Sequence, residues 1–187
     1  MQRTNHTNSN PPQKGVTILT NDPSIAAWGW VVLNGNSIVL DKGCIKTKTE
    51  GKKRRIRKGD EDVHRTEAIT RELIRVIKKH NVQYIVTELP HGSQNAAAAK
   101  MIGICVGIIV GITLTLDIGV EWYSEGDSKK AALGKTTAQK REMIDAMAKI
   151  YKVRWTGTKY IDEAVADALG VHNVALKESA TLKLLNK

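Results

Sequence analysis

The order in which strand-like and helix-like segments follow one another is the feature that most limits how this chain folds. Three short apolar runs come first, and the turn signal Asn34-Gly35-Asn36 separates the second from the third, which is typical of an antiparallel meander. After them, helical and strand-like spacing alternates twice, and two further helices close the pattern. An antiparallel hairpin that leads into helix–strand units predicts an α/β fold with a mixed five-stranded sheet flanked by helices.

The segments that carry this prediction have the following bounds. The strands are Val16–Thr20, Trp28–Leu33, Ser37–Ile45, Val82–Glu88 and Val120–Tyr123. The helices are Val63–Lys79, Asn95 to about Leu116, Thr136 to about Tyr151, and Asp162 to about Leu176. Residues 1–14 are polar and predict a disordered lead-in to one domain over 15–187. The apolar run Met101–Leu116 is short for a membrane span and closed by charges, so we expect a buried helix and no membrane contact.

The charge of the chain favours a polyanionic partner. Lysine and arginine number 29 against 19 acidic residues, a formal net charge of +10, and nucleic acid is the commonest polyanion. A generically basic soluble surface is the alternative. The residues that would contact the DNA backbone lie in a basic run, which is either a DNA-binding arm or a solvated loop: Lys52, Lys53, Arg54, Arg55, Arg57 and Lys58.

The candidate acidic residues lie at the ends of predicted strands or at a spacing that places them on one face of a helix. Asp22 follows the first strand, Glu88 ends the fourth, and Glu163 and Asp167 are four residues apart on the last helix. In an open α/β sheet, strand ends form the site. Each acid taken alone is explained as well by a turn, a helix cap or an ordinary strand end.

Clustered carboxylates repel one another and therefore require a cation. Hard oxygen ligands suit Mg²⁺ or Mn²⁺. Such ions activate water and stabilise the leaving oxygen of a phosphodiester. The acids and the basic run together predict a metal-dependent nuclease.

Four segments resemble motifs of the RuvC-type Holliday-junction resolvases of bacteria and their phages, which have the RNase H-like fold. The similarity extends from about Val16 to Val174. The segments are Ile18–Ser24 with Gly29, Tyr84–Glu88 with Asn95, Gly103 and Gly107, Ser128–Lys140 with lysines on both sides of Gly134, and Ala166–Leu169.

This resemblance implies a homodimer that binds a four-way junction and nicks two strands symmetrically with Mg²⁺ or Mn²⁺. It maps Asp22, Glu88 and Asp167 onto metal ligands. It maps Lys129 and Lys140 onto basic residues beside the scissile phosphate, where they would stabilise developing charge.

The sequence departs from the family pattern at two positions. Ala164 occupies the position of a common fourth acid, and we expect Glu163 to replace it, with Asp162 as the alternative. His91 stands where the family often has an aromatic residue that stacks on bases, so it either stacks on DNA or is an exposed loop histidine.

Three further inferences complete the sequence-based hypothesis. Gly103, Gly107 and Gly111 recur every four residues, which indicates either close packing of the helix on the sheet or a dimer interface. Cys44 and Cys105 predict buried free thiols, which suit a reducing compartment. Together with the resemblance, this implies a cytoplasmic location in a bacterial cell or a phage-infected host. Two other functions stay open: an endonuclease for flaps, forks and Y-junctions, and a junction-binding protein that does not cleave.

Overall fold

The computed structural model describes residues 15–49 and 57–185. In these residues a five-stranded sheet has the order β3-β2-β1-β4-β5, with β1–β2 and β2–β3 antiparallel and β1–β4 and β4–β5 parallel. The strands are β1 Thr17–Asp22, β2 Ala27–Asn34, β3 Val39–Lys46, β4 Tyr84–Glu88 and β5 Gly119–Tyr123. The helices are α1 Lys58–His80, α2 Ala96–Leu116, α3 Glu125–Leu133, α4 Lys140–Ile150, α5 Lys159–Glu178 and α6 Ala180–Leu185. The predicted mixed sheet with flanking helices is confirmed.

Helices cover both faces of the sheet, and β1 lies at its centre. Leu19 packs into a core shared with α1 and α2, whereas its neighbour Ile18 packs into a core shared with α5 and α6. Successive side chains of a strand point to opposite faces, so a central strand that is covered on both faces is apolar at nearly every position. The strand ends at Asp22, two residues beyond the predicted end, so that this acid stands at the edge of the sheet.

Helix α5 lies very close to the sheet because Gly29 of β2 has no side chain. An added Cβ at Gly29 would lie 2.1 Å from the carbonyl oxygen of Ala164 in α5. Gly29 is also the register partner of Asp22. This contact therefore brings the acidic face of α5 to the end of β1.

The structure adds helices that the spacing of apolar residues did not predict. Helix α3 begins at a reciprocal capping box between Ser124 and Asp127, and the following helix starts at Lys140, four residues later than expected. The short helix α6 is held by the buried Leu182. Both α3 and α6 have few apolar residues of helical period, so their local caps and tertiary contacts define them.

The apolar helix α2 is buried on one face only. Among the residues described, it is the one helix long and apolar enough to cross a membrane by length and composition, with 21 residues and a mean hydropathy of 2.2. Cys105, Ile109 and Ile112 pack into the core against the sheet and α1, but only 28% of its most apolar window is buried. The prediction of a buried helix is therefore right for the face toward the sheet and wrong for the opposite face, and the helix is longer than the apolar run Met101–Leu116 on which the length argument rested.

The glycines of α2 do not bring this helix close to the sheet. A Cβ at Gly103, Gly107 or Gly111 would meet no atom within 4 Å. They lie on the exposed face, together with Val110 and Leu114, whose exposed fractions are 40% and 79%. Of the two explanations offered for the glycines, packing against the sheet is wrong.

The two cysteines are free thiols in different settings. Cys105 is buried, as predicted, whereas Cys44 on β3 is only half-buried. Strand β3 lies at the edge of the sheet in the region described, and all of its residues except Lys46 are half-buried. The prediction of a buried thiol is therefore right for Cys105 and wrong for Cys44.

Candidate active site

Four predicted acids line one pocket at the edge of the sheet. Asp22 and Glu88 come from the ends of the parallel neighbours β1 and β4, while Glu163 and Asp167 come from one face of α5. The carboxyl ends of parallel strands meet at one edge, and residues four apart on a helix share a face. The lining residues are Asp22, Ser24, Ala27, Glu88, Glu125, Lys140, Tyr160, Glu163, Ala164 and Asp167.

Three carboxyl groups in this pocket have pKa values above their ordinary values. Burial, followed by the charge of Asp167, raises the pKa of Asp22 from 3.8 to about 7. Burial, followed by the charges of Asp22 and Asp167, raises the pKa of Glu88 from 4.5 to about 8. Burial also raises the pKa of Asp167. The fold brings these acids together without enough donors or cations to neutralise them.

Two lysines accompany the acids, in different ways. Lys140, the first residue of α4, lines the pocket and places its Nζ 3.3 Å from Oδ2 of Asp167. Lys129 of α3 instead donates to Glu125, one turn earlier on the same helix. Of the two predicted lysines, only Lys140 contacts a predicted acid directly, although the positive charges of both oppose the rise in the pKa of Asp167.

The neighbouring acids Asp162 and Glu163 have different surroundings. Asp162 accepts hydrogen bonds from the backbone N–H groups of Thr156 and Gly157 and from the Thr156 hydroxyl, at 2.8–2.9 Å. Burial alone would raise the pKa of Asp162, but these donors together lower it. Glu163 lines the pocket. Of the two candidates for a fourth acid in the pocket, only Glu163 is placed there.

The other predicted contact residues lie away from this pocket or outside the described part of the chain. His91, Arg57 and Lys58 are exposed and do not line it. The remaining residues of the predicted basic arm, Lys52, Lys53, Arg54 and Arg55, lie outside the residues that the structure describes, as does the predicted lead-in over 1–14.

Two residues of the pocket were missed by the sequence reasoning. Glu125 follows the fifth strand, so the rule that selected Asp22 and Glu88 as strand-end acids applies to it as well. Its charge also raises the pKa of Glu88. Tyr160 lies one turn before Glu163 on α5. No local pattern marks Tyr160, because it reaches the pocket only through the packing of α5 on the sheet.

The acids do not yet stand in a coordination geometry. Within residues 15–49 and 57–185, no three His, Cys, Asp or Glu side chains are arranged so as to hold a metal ion. The raised pKa values nevertheless show that a cation among the acids would relieve both repulsion and lost hydration, so the donor set suits a hard divalent ion.

A mixed sheet of this order, with acids gathered where β1, β4 and α5 meet, is the RNase H-like fold. A solved structure of RuvC from T. thermophilus in complex with a Holliday junction substrate matches with a TM-score of 0.69 and 17% identity, over 86% of this chain and 93% of that one. A yeast mitochondrial Holliday junction resolvase matches with a TM-score of 0.63 and 11% identity, over 94% and 84% of the two chains. At these identities the likeness shows the fold alone.

Sequence comparison identifies the family. The model for the crossover junction endodeoxyribonuclease RuvC matches residues 18–172. A RuvC from Nitratidesulfovibrio vulgaris strain Hildenborough is 28% identical, over 74% of this chain and 80% of the relative. One from Oleidesulfovibrio alaskensis is 26% identical, over 83% and 90%. The chain belongs to the RuvC family of crossover junction endodeoxyribonucleases.

Proposed function

We propose that this protein hydrolyses phosphodiester bonds in four-way DNA junctions and makes paired nicks in two strands. One observation carries the proposal: acids from β1, β4 and α5 share a pocket in which burial and mutual repulsion raise the pKa values of Asp22 and Glu88. Such a site attracts a cation and, through it, a phosphate. Membership of the RuvC family and the likeness to a RuvC in complex with a Holliday junction support four-way junctions as the substrate.

Asp22, Glu88, Glu163 and Asp167 would hold Mg²⁺ or Mn²⁺. These carboxylates offer the hard oxygen ligands that both ions prefer. A bound ion of this kind supplies an activated water and stabilises the charge of the leaving oxygen. The side chains themselves orient the reacting groups, because two of the four acids are at the ends of strands and the other two are on a helix packed tightly against them.

Lys140 and Lys129 would stabilise the negative charge that grows on the phosphate during hydrolysis. Lys140 already lines the pocket and lies close to Asp167, so a phosphate held among the acids would come within its reach. Lys129 would reach the phosphate by leaving Glu125. A preorganised cation in a pocket that excludes water contributes more than the same charge in bulk solvent.

The basic arm and His91 would contact the DNA outside the pocket. Arg57 and Lys58 are exposed at the start of α1, next to the run Lys52–Arg55 in the sequence. Neutralising Lys53, Arg54 and Arg55 should weaken junction binding and reduce its salt dependence by up to about one unit of slope per lost phosphate contact. An unchanged slope would mean that this run does not contact DNA. His91 would stack on a base, with an imidazole that is a smaller platform than the ring of Phe.

The exposed faces of α1 and α2 would bind a second copy of the chain. Apolar residues line a groove between the two helices, including Ile74, Ile104 and Leu116. Gly107 and Gly111 of α2 also line it, and Leu114 on the exposed side of the same helix keeps 79% of its surface exposed. Symmetric nicks require two sites related by a two-fold axis, which a homodimer supplies. Leu114→Glu should convert the dimer to a monomer in sedimentation, whereas Leu184→Glu on α6 should not. Unchanged sedimentation of Leu114→Glu would reject this interface.

The experiment that tests the function incubates the protein with a labelled four-way junction in Mg²⁺, and with flaps, forks and Y-junctions of the same arm sequences. Symmetric nicks confined to the four-way junction are expected. Equal cutting of all branched substrates would favour the broader endonuclease. Binding with no nicks in either Mg²⁺ or Mn²⁺ would favour the junction-binding protein. A cytoplasmic location accords with this function and stays a prediction.

A further inference from the structure

An aromatic side chain and a cation meet at the rim of the acidic pocket. Tyr160 lines the pocket and keeps 39% of its surface exposed. The Nζ of Lys46, the last residue of β3, lies 3.7 Å from the centre of its ring. A tyrosine combines an apolar ring with a polar hydroxyl, so it can contact a ligand at the rim of such a pocket with either part.

The position of Tyr160 on α5 aligns it with the reacting centre. Tyr160, Glu163 and Asp167 are three and seven residues apart, so they lie on one face of the helix. Three residues advance a helix by about 4.5 Å, so the ring stands about one turn from the acids. A nucleotide whose phosphate is held among the acids would bring its sugar and base to this ring.

Beyond the ring, a second hollow continues the path with basic residues. Lys46 lines this hollow with Lys48 and His64, and Glu61 is the acidic residue on its wall. The two hollows share their boundary, since Ala27 of the acidic pocket is the register partner of Lys46. The surface therefore passes from carboxylates to an aromatic ring to cations, in the direction of the start of α1.

Hydrogen bonds from Arg65 fix the backbone at the boundary between the two hollows. Its guanidinium donates to the hydroxyl of Thr47 at 2.8 Å and to the carbonyl of Ile25 at 3.1 Å. Ile25 lies in the connection between β1 and β2, and Thr47 follows β3. The β1–β2 connection and the end of β3 are thus tied to α1, next to Lys46.

We infer that Tyr160 and Lys46 hold the nucleotide next to the cleaved bond, with the ring of Tyr160 against its base and the ammonium of Lys46 on the adjacent phosphate. Lys48 and His64 would continue the path of the DNA strand as it leaves the pocket. Every base has a π face, so a tyrosine ring can hold it without regard to sequence, and lysine neutralises a backbone phosphate. The inference rests on the proposed nuclease function and names two residues for that site that the sequence motifs do not include. Both are positioning residues and take no part in bond breaking.

The test uses a four-way junction that carries 5-iododeoxyuridine on either side of the cut, bound in Ca²⁺ so that it is not cleaved. Irradiation should crosslink the wild type at Tyr160, and Tyr160→Ala should lose that crosslink. In Mg²⁺, Tyr160→Ala should raise KM about fivefold or more with little change in kcat. Tyr160→Phe and Tyr160→Trp should retain KM, since they keep a ring. Leu184→Ala, an exposed apolar residue on α6, should behave as wild type.

The role of Lys46 is tested separately, through the salt dependence of junction binding, with Lys78 as the control position. Lys46→Gln should reduce the salt slope of junction binding by about one unit, whereas Lys78→Gln, at the opposite end of α1 from the pocket, should not. A Tyr160→Ala enzyme with unchanged KM, or a crosslink mapping elsewhere, would overturn the inference. If Tyr160→Ala unfolds, the position of the wild-type crosslink decides instead: a crosslink at Tyr160 supports the inference, and one that maps elsewhere overturns it. A wild type that neither cuts nor binds the junction would reject the proposed function itself.

Discussion

Two groups of acids lie at neighbouring strands of this protein, and their environments are opposite. Glu121 on β5 accepts hydrogen bonds from the hydroxyls of Tyr84, Tyr123 and Ser179 at 2.8–2.9 Å. Burial alone would raise its pKa, but these hydroxyl donors together lower it. In the acidic pocket, burial and like charges raise the pKa of Asp22 and Glu88 instead.

The difference shows how one fold gives the same functional group two uses. Where the chain supplies hydroxyl donors, the carboxylate is stable as an anion and joins β4, β5 and α6. Where the chain supplies few donors, ionisation of the carboxyl group is unfavourable, and the site favours any ligand that brings positive charge. The hydrogen-bonded Glu121 stabilises the fold. The acids of the pocket destabilise it, at the place where chemistry is proposed.

Asp22→Asn should have the largest effect on activity and no adverse effect on stability. The variant removes a proposed ligand but no proposed DNA contact, so cleavage should fall at least about a hundredfold while junction binding in Ca²⁺ stays intact. At about pH 8 without divalent ions the variant should be at least as stable as wild type, because one repelling charge is gone. Asp145→Asn, an exposed acid on α4, is the control. Cutting at wild-type rates would reject the metal site.

Glu121→Ala should lower the stability of the protein and leave its cleavage rate almost unchanged, which is the reverse of Asp22→Asn. Three hydroxyl donors lose their acceptor, so the free energy of unfolding should fall by about 1–3 kcal/mol. The cleavage rate, measured well below the melting temperature, should stay within about threefold of wild type, because Glu121 does not line the pocket. Glu67→Ala, which breaks an exposed pair with Arg71, should leave the melting temperature almost unchanged. A large loss of cleavage in folded Glu121→Ala would remove the distinction between the two groups.

The stability of the metal-free protein should fall as pH rises from about 6.5 to about 8. A carboxyl group whose pKa is raised in the folded state, to about 7 for Asp22 and about 8 for Glu88, binds its proton more tightly there than in the unfolded chain. Unfolding therefore releases protons in this window, and stability decreases with pH. Below about 6.5 the buried His172, whose pKa is lowered to about 4, gives the opposite slope.

Thermal unfolding in EDTA across this range measures the effect. Asp22→Asn should flatten the slope, and Mg²⁺ or Mn²⁺ should restore stability most at the upper end, where the acids are ionised. A metal-free protein whose melting temperature rises from pH 6.5 to pH 8 would contradict the raised pKa values.

Glu125→Gln should have the smallest effect. The change removes one negative charge from the pocket and releases Lys129 from its ion pair. We expect the Mg²⁺ concentration for half-maximal cleavage to rise by less than about tenfold, as for a residue that supports the ligands from outside. A loss as large as that of Asp22→Asn would instead make Glu125 a ligand.

Local sequence patterns were sufficient to predict the strands and helices whose apolar residues recur with a strong period. β1, β4 and the last long helix were predicted with their acids, because strand ends and the spacing of Glu163 and Asp167 are local properties. Helix α3 was missed although Ser124 and Asp127 form a capping box, since its apolar spacing is weak. The exposed face of α2 was also missed, because an apolar run has the same composition whether or not a neighbour covers it.

The sequence by itself determined the order of the five strands and of the four longer helices, the basic charge, and which acids were candidates for one site. Only the tertiary structure decided which of two adjacent acids faces that site: Glu163 lines it, whereas Asp162 binds backbone N–H groups of the preceding loop. The structure also brought in Glu125 and Tyr160. The physical reason is that period and propensity act over a few residues, whereas the pocket forms where β1, β4 and α5 meet. The absence of a side chain at Gly29 sets how closely they approach.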